Sequence, residues 1–378
     1  MDFRKKPRFC VIGAGNGGCA MAAHLSLMGF EVSLYNRSMD RIKPIMDVGG
    51  IEMIGNEGSN LPSGWARISL VTTDISEAMD GADIIMVATT ANGHRDVAEL
   101  CAPYLRDGQI VVLNPGRTCG ALEFYYILKR EGVDADVIVS EAETFIYACR
   151  SMNPGQVKIF RIKNAVPVAA IPAYRTPEVV KALRVAFPQF VPGDNVMKTS
   201  LGNIGSVFHP AITILNAGRI EGTGGDFEFY MEGVTPSIGK VLEAIDGERV
   251  AIGEALGFRI ITAREWLYIA YSAAGRTLYE AMRANDGYSG IKAPSSLNYR
   301  YINEDVPMSL VPMVSLGTIL GVPVSVMRSM IDLASIMNEC DYWAIGRRME
   351  KIGLSDMSIK EIRHLVLTGE YPERVLKG

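Results

Sequence analysis

The sequence predicts an α/β Rossmann-type nucleotide-binding domain followed by a mostly α-helical domain. Three observations predict it. A glycine-rich turn joins an apolar run to a helical pattern close to the N-terminus. Apolar strand-like runs then alternate with helical stretches as far as residue 187, and from residue 200 onward the periodicity is helical. We expect the nucleotide-binding domain over residues 1–197 and the helical domain over 198–378, after the proline- and glycine-bearing stretch at 188–193.

The first element is Phe9-Cys10-Val11-Ile12, which runs into Gly13-Ala14-Gly15-Asn16-Gly17-Gly18 and then a helical pattern from Cys19. Gly13 permits a tight turn, Gly15 lets backbone approach a pyrophosphate, and Gly18 lets the helix pack closely on the strand. Asn16 lies at the helix start, where free N–H groups and the positive dipole end attract a phosphate. A second strand over 30–35 completes the strand–helix–strand context expected of dinucleotide binding. That strand ends in Asn36-Arg37-Ser38, where an NAD enzyme usually carries Asp or Glu for the ribose 2′-hydroxyl. Arg37 is suited to pair with a 2′-phosphate, and Asn36 and Ser38 to hydrogen-bond it. NADPH is therefore the expected cofactor, with NAD less favoured; the other reading is a solvated Arg37 with Asp40 serving the ribose.

The strand expected at 82–88 ends in Thr89-Thr90-Ala91-Asn92-Gly93-His94, at the sheet edge where ligands bind in open α/β folds. Thr90 and His94 are placed near the cofactor on that ground, although His94 also suits the start of the next helix. A further strand at 109–113 leads to the polar loop Asn114-Pro115-Gly116-Arg117-Thr118-Cys119-Gly120, whose composition names no role. Residues 157–163 alternate apolar and basic side chains, as a half-exposed strand does.

In the second half, residues 234–256, 264–284, 306–320 and 323–340 read as helices. His209-Pro210 interrupts an apolar helical pattern there, and is one of four histidines in the chain. It reads either as a packed or capping histidine at a helix break or as an acid–base group. A polar, aromatic insert at 298–307 carries Arg300, whose fork suits a carboxylate, and Asp305, which suits a helix N-cap ahead of Pro307.

The bulk composition excludes several classes. A chain of 378 residues, 48% hydrophobic and 21% charged, has an ordinary globular balance, and a net charge of -4 with scattered basic residues gives no nucleic-acid surface. No apolar run is long enough to cross a bilayer, and no apolar signal core precedes the first strand. Cys10, Cys19, Cys101, Cys119, Cys149 and Cys340 show no metal-ligand spacing, so no metal is expected and a cytoplasmic location fits best.

Taken together, the chain resembles the opine dehydrogenase family over its whole length. The resemblance is carried by the glycine loop, residues 114–124, Glu143-Thr144 with Cys149-Arg150, and the segment around His209-Pro210. It continues in Tyr230-Met231-Glu232-Gly233-Val234-Thr235-Pro236-Ser237, in Arg300-Tyr301 with Glu304-Asp305-Val306, and in Leu310-Val311-Pro312. Cys119 departs from the family's Gly-Arg-Thr-Gly-Gly run. The resemblance implies NAD(P)H-dependent reductive condensation of an amino acid with a 2-oxo acid. It also implies catalytic roles for His209 and Asp305, substrate contacts for Arg300 and Cys149, and a homodimer. Two alternatives remain at this point: a 2-oxo or hydroxy acid reductase of the ketopantoate type, and an NADPH-binding sensor without turnover.

Overall fold

A computed structural model describes residues 6–55 and 61–376. Among the described residues twelve strands are formed: β1 Phe9–Ile12, β2 Val32–Tyr35, β3 Ile51–Gly55, β4 Gly64–Ala66, β5 Leu70–Thr72, β6 Ile84–Val87, β7 Ile110–Leu113, β8 Ile138–Ala142, β9 Tyr147–Asn153, β10 Gln156–Ile162, β11 Val166–Ile171 and β12 Phe190–Pro192. The chain divides into two compact units. One takes the chain through Gly116, Gly120–Thr199 and the end from His364; the other takes Arg117–Cys119 and Ser200–Arg363.

The first unit is built on an eight-stranded sheet in the order β12-β11-β8-β7-β6-β1-β2-β5. β1 pairs in parallel with both β2 and β6, so the strand order reverses beside it. The crevice at the carboxyl ends of strands at such a reversal is the usual ligand position in this architecture. β1, β6 and β7 are apolar and buried along their length, as strands covered on both faces must be. β11 runs antiparallel to β8, and a separate four-stranded sheet, β4-β3-β10-β9, completes the unit.

The expected boundary of 197/198 lies close to the observed one at Thr199/Ser200, but the last segment requires a correction. Residues from His364 onward belong to the first unit, not to the helical one. The reason is aromatic and polar: the Tyr125 hydroxyl donates to the Gly369 carbonyl at 2.8 Å, and the Tyr371 ring lies 5.6 Å from that of Tyr126.

The second unit is helical, as expected, with the long helix Pro236–Ala255 at its core. Arg249 of this helix is fully buried and paired with Asp246 at 2.6 Å. The single helix expected at 264–284 is instead two, Ala263–Tyr271 and Leu278–Arg283. Ser272 turns left-handed at φ 56° and caps the first helix, and Gly275 in the linker packs so closely that a Cβ there would lie 2.3 Å from the Ala281 nitrogen. The expected helix at 306–320 begins as a π-helical turn, Val306–Leu310, before the α-helix Val311–Ile319. π turns inside helices tend to mark functional sites. Among the described residues no helix is long and apolar enough to cross a membrane.

Candidate active site

The glycine loop is formed largely by backbone. Gly13 adopts φ +108°, and a Cβ there would press on Thr89 and the Ala88 backbone at 3.1–3.2 Å. A Cβ at Gly18 would lie 1.6 Å from the Gly13 carbonyl oxygen, so the helix Asn16–Leu27 packs directly on the turn. Gly15 differs, since a Cβ there would meet no protein atom within 4 Å. That open space, beside a helix N-terminus without any side-chain cap, fits the pyrophosphate of a dinucleotide.

The residues at the end of β2 divide into those that build the loop and those left for a ligand. Asn36 is committed: its Oδ1 accepts from the Ala14 N–H at 3.1 Å, and its Nδ2 donates to the Ser38 carbonyl at 3.0 Å. Ser38 precedes the helix Met39–Val48 and makes no side-chain cap bond. Arg37 is 84% exposed, with Asp96 at 3.6 Å as an exposed partner. Such a pair is weak and leaves the guanidinium available. Thr90 is exposed at the end of the β6 segment.

One expected position needs correction. His94 starts the helix His94–Cys101 but is completely buried, with Gly120 packed so closely that a Cβ there would lie 3.1 Å from its ring. It is an interior side chain and presents no surface to a cofactor. Cys149, expected at the substrate, sits on β9 with its Sγ 3.5 Å from the Asn16 carbonyl oxygen. The antiparallel pairing of β9 with β10 fixes it beside the glycine loop.

His209 lies inside a continuous helix, Gly205–Leu215, rather than at the expected break. Pro210 lies inside that helix, where it removes one backbone donor, and the helix nonetheless continues to Leu215. One turn earlier, Gly205 leaves room for the imidazole: a Cβ there would lie 3.0 Å from His209 Cε1 and 3.4 Å from Arg117 Nη1.

The expected partner is in place. His209 Nδ1 lies 2.9 Å from Asp305 Oδ2, and Asp305 is fully buried. The N-cap reading of Asp305 fails, because it makes no cap bond to the turn that follows. Burial raises the proton affinity of its carboxyl, but Arg117 and His209 outweigh burial and hold it below the ordinary value of 3.8. An ionised carboxylate only accepts, so Nδ1 carries the proton of this hydrogen bond. Nε2 is then the nitrogen that takes or gives a proton, and it lies 3.1 Å from the Tyr230 hydroxyl. Burial pushes the Tyr230 phenol well above 10, so it stays a neutral donor and acceptor. The Tyr301 ring stacks on the imidazole at 4.2 Å and 18°.

Around this pair runs a chain of charges. Arg117 Nη1 meets Asp305 Oδ1 at 2.9 Å, and its Nε meets Glu304 Oε1 at 3.3 Å. Arg300 Nη2 meets Glu304 Oε2 at 3.0 Å, with the Arg300 side chain 53% exposed. The structure thus gathers His209, Asp305 and Arg300, and adds Arg117, Glu304, Tyr230 and Tyr301, to which the residue pattern gave no role. The Glu304-Asp305 dipeptide next to an arginine four residues earlier was the available signal, since adjacent buried carboxylates require cations.

The family described as NAD/NADP octopine/nopaline dehydrogenase, alpha-helical domain, matches residues 192–338, and the N-terminus of NAD-dependent glycerol-3-phosphate dehydrogenase matches residues 8–115. The chain is 40% identical to an opine dehydrogenase of Arthrobacter sp. (strain 1C) over 358 residues, covering 95% of this chain and 98% of that one. Its fold is similar to octopine dehydrogenase bound to NADH and L-arginine, with a TM-score of 0.81, 21% identity, and coverage of 97% of this chain and 99% of that one. It is also similar to yersinopine dehydrogenase with NADP+ bound, with a TM-score of 0.76, 15% identity, and coverage of 98% and 99%.

Proposed function

The chain belongs to the opine dehydrogenase family and is an NAD(P)-dependent oxidoreductase acting on CH–NH bonds; from that premise we propose that it condenses an amino acid with a 2-oxo acid at His209. The amine nitrogen bonds to the oxo carbon, and the former carbonyl oxygen takes a proton to give a carbinolamine. Loss of water leaves a C=N bond. A reduced nicotinamide, when bound, supplies the hydride that, with a proton, converts this imine to a secondary amine dicarboxylate.

The observation that carries this reading is the 2.9 Å contact between His209 Nδ1 and Asp305. Asp305 fixes the ring and its tautomer, so Nε2 delivers the proton that lets oxygen leave as water. Tyr301, stacked on the ring, limits its rotation. Arg300 grips the carboxylate of the oxo acid: its exposed fork has donors beyond the one used on Glu304. Holding that carboxylate orients the imine carbon toward the hydride donor.

The test is NADPH oxidation with pyruvate or 2-oxoglutarate, with and without each of the twenty amino acids. Dependence on an amino acid supports the condensation. Equal rates with the oxo acid alone indicate a simple oxo acid reductase, and NADPH binding without any turnover indicates a sensor.

The preferred cofactor in this reading is NADPH. Arg37 at the end of β2 is exposed and no carboxylate replaces it at positions 36–38. Higher kcat/KM with NADPH than NADH is expected, with the difference lost in Arg37→Ala; a clear NADH preference contradicts it. A reducing cytoplasm suits six cysteines without metal-ligand spacing. The homodimer expected from the family is checked by solution mass, and a monomeric mass contradicts it.

A further inference from the structure

We propose that Arg117 is a positioning residue of the reaction: its buried guanidinium neutralises the adjacent carboxylates of Glu304 and Asp305 and holds Asp305 with Oδ2 toward His209. The inference rests on His209 and Asp305 being the acid–base pair.

Three features converge on this role. The first is geometry. Asp305 spends one oxygen on His209 at 2.9 Å and the other on Arg117 at 2.9 Å, so the carboxylate is fixed in rotation from both ends. The second is backbone. Arg117 adopts φ 57° and Cys119 φ 61°, a left-handed conformation that costs a side-chain-bearing residue roughly 1 kcal/mol. The loop is nonetheless pinned: the Thr118 N–H donates to the Met308 carbonyl at 3.2 Å, Arg347 Nη1 donates to the Thr118 carbonyl at 2.7 Å, and the Cys119 N–H donates to Ser200 Oγ at 2.9 Å. Glycine would adopt the conformation at position 117 without strain. Arginine stands there, and its guanidinium reaches the two carboxylates.

The third feature is charge. Glu304 and Asp305 are consecutive and both buried. The groups facing them include Arg117, Arg300 and His209, with Tyr301 and Tyr230 as neutral phenols. Arg300 is half exposed and is the group assigned to the substrate, whereas Arg117 is a buried cation that stays with both carboxylates. Without it, Asp305 loses the cation that most lowers its proton affinity, and that affinity rises. A protonated Asp305 no longer fixes the tautomer of His209.

The test uses the full-length protein and compares Arg117→Gly, Arg117→Lys and Arg117→Gly/Glu304→Gln. The assay pairs NADPH and pyruvate with the amino acid of highest turnover in the screen above. Arg117→Gly relieves the backbone strain, so thermal stability and NADPH affinity report any general damage. It is expected to lower kcat at neutral pH at least about tenfold. It is also expected to move the acid limb of the kcat–pH profile upward, because removing a cation raises the proton affinity of the carboxylates left behind. Arg117→Lys returns the limb toward its original position. Adding Glu304→Gln to Arg117→Gly does the same by removing the adjacent carboxylate.

A kcat loss with an unchanged pH profile, uncorrected by lysine or by the double variant, reduces Arg117 to a structural residue and overturns the proposal. If Arg117→Gly does not fold, the lysine variant decides: an acid limb displaced upward from the wild-type position despite the retained charge overturns it. His209→Ala is run alongside. Retained turnover there overturns the acid–base reading together with this inference, whereas lost turnover there with a normal Arg117→Gly profile overturns the role of Arg117 alone.

Discussion

In the first unit His24 Nδ1 lies 3.0 Å from the Tyr147 hydroxyl, and in the second His209 Nε2 lies 3.1 Å from the Tyr230 hydroxyl. The pairings look alike, yet the surroundings differ. His24 is 5% exposed and packs edge-on against Phe187. Burial holds its pKa down at about 4, below the ordinary 6.5, so at neutral pH it is an uncharged interior side chain. His209 is 19% exposed and has Asp305 on its other nitrogen. A tyrosine partner alone therefore makes a packed histidine. A carboxylate partner and an opening to solvent are what equip a histidine to exchange protons with a bound substrate.

The strongest way to break that contrast is Asp305→Asn. It keeps shape and burial but removes the anion that fixes the tautomer, and turnover should fall about 10²–10⁴-fold. NADPH affinity, measured by fluorescence titration, should stay near that of the wild type. A variant with near-normal turnover would put His209 in the same class as His24.

The second test concerns His24 and is read as stability against pH. An unfolded His24 takes up a proton below about 6.5, while the folded one resists until about 4. Stability from its burial is thus fully present above 6.5 and is lost as pH falls through this window, by about 3 kcal/mol. In His24→Phe, this part of the acid destabilisation should disappear from denaturant melts. An unchanged pH dependence would mean that His24 protonates freely in the fold.

The smallest effect sharpens a further difference, between a site formed by backbone and one formed by side chains. Gly15 adopts φ -82°, which alanine accepts, and a Cβ there meets no protein atom within 4 Å. Gly15→Ala should therefore keep its melting temperature while weakening NADPH binding by about tenfold, on the order of 1.4 kcal/mol. Equal affinity would show that the pyrophosphate does not approach this position.

This difference also explains what the sequence made legible. The glycine loop is local: Gly13, Gly15 and Gly18 lie within one turn, so their spacing alone carries the geometry later found. The His209 cluster joins positions 117, 209, 230 and 300–305, and no periodicity links residues so far apart. His209, Asp305 and Arg300 were reached through the family resemblance, with the bonds among them visible only in the fold. Arg117 stayed without a role because a left-handed turn at a non-glycine residue leaves no clear mark in sequence. His94 misled because a histidine at a strand's carboxyl end suits a ligand or a core equally, and burial decided for the core. Pro210 misled in the opposite direction: it lies inside the helix Gly205–Leu215, which runs on past it.

The central claim is that His209 is the acid–base group of a condensation, and single-turnover kinetics of His209→Ala test it most directly. With NADPH, pyruvate and the preferred amino acid at saturation, the account predicts a loss of about 10²–10⁴-fold in rate, with NADPH affinity retained. A His209→Ala enzyme that forms product at near the wild-type rate would contradict it.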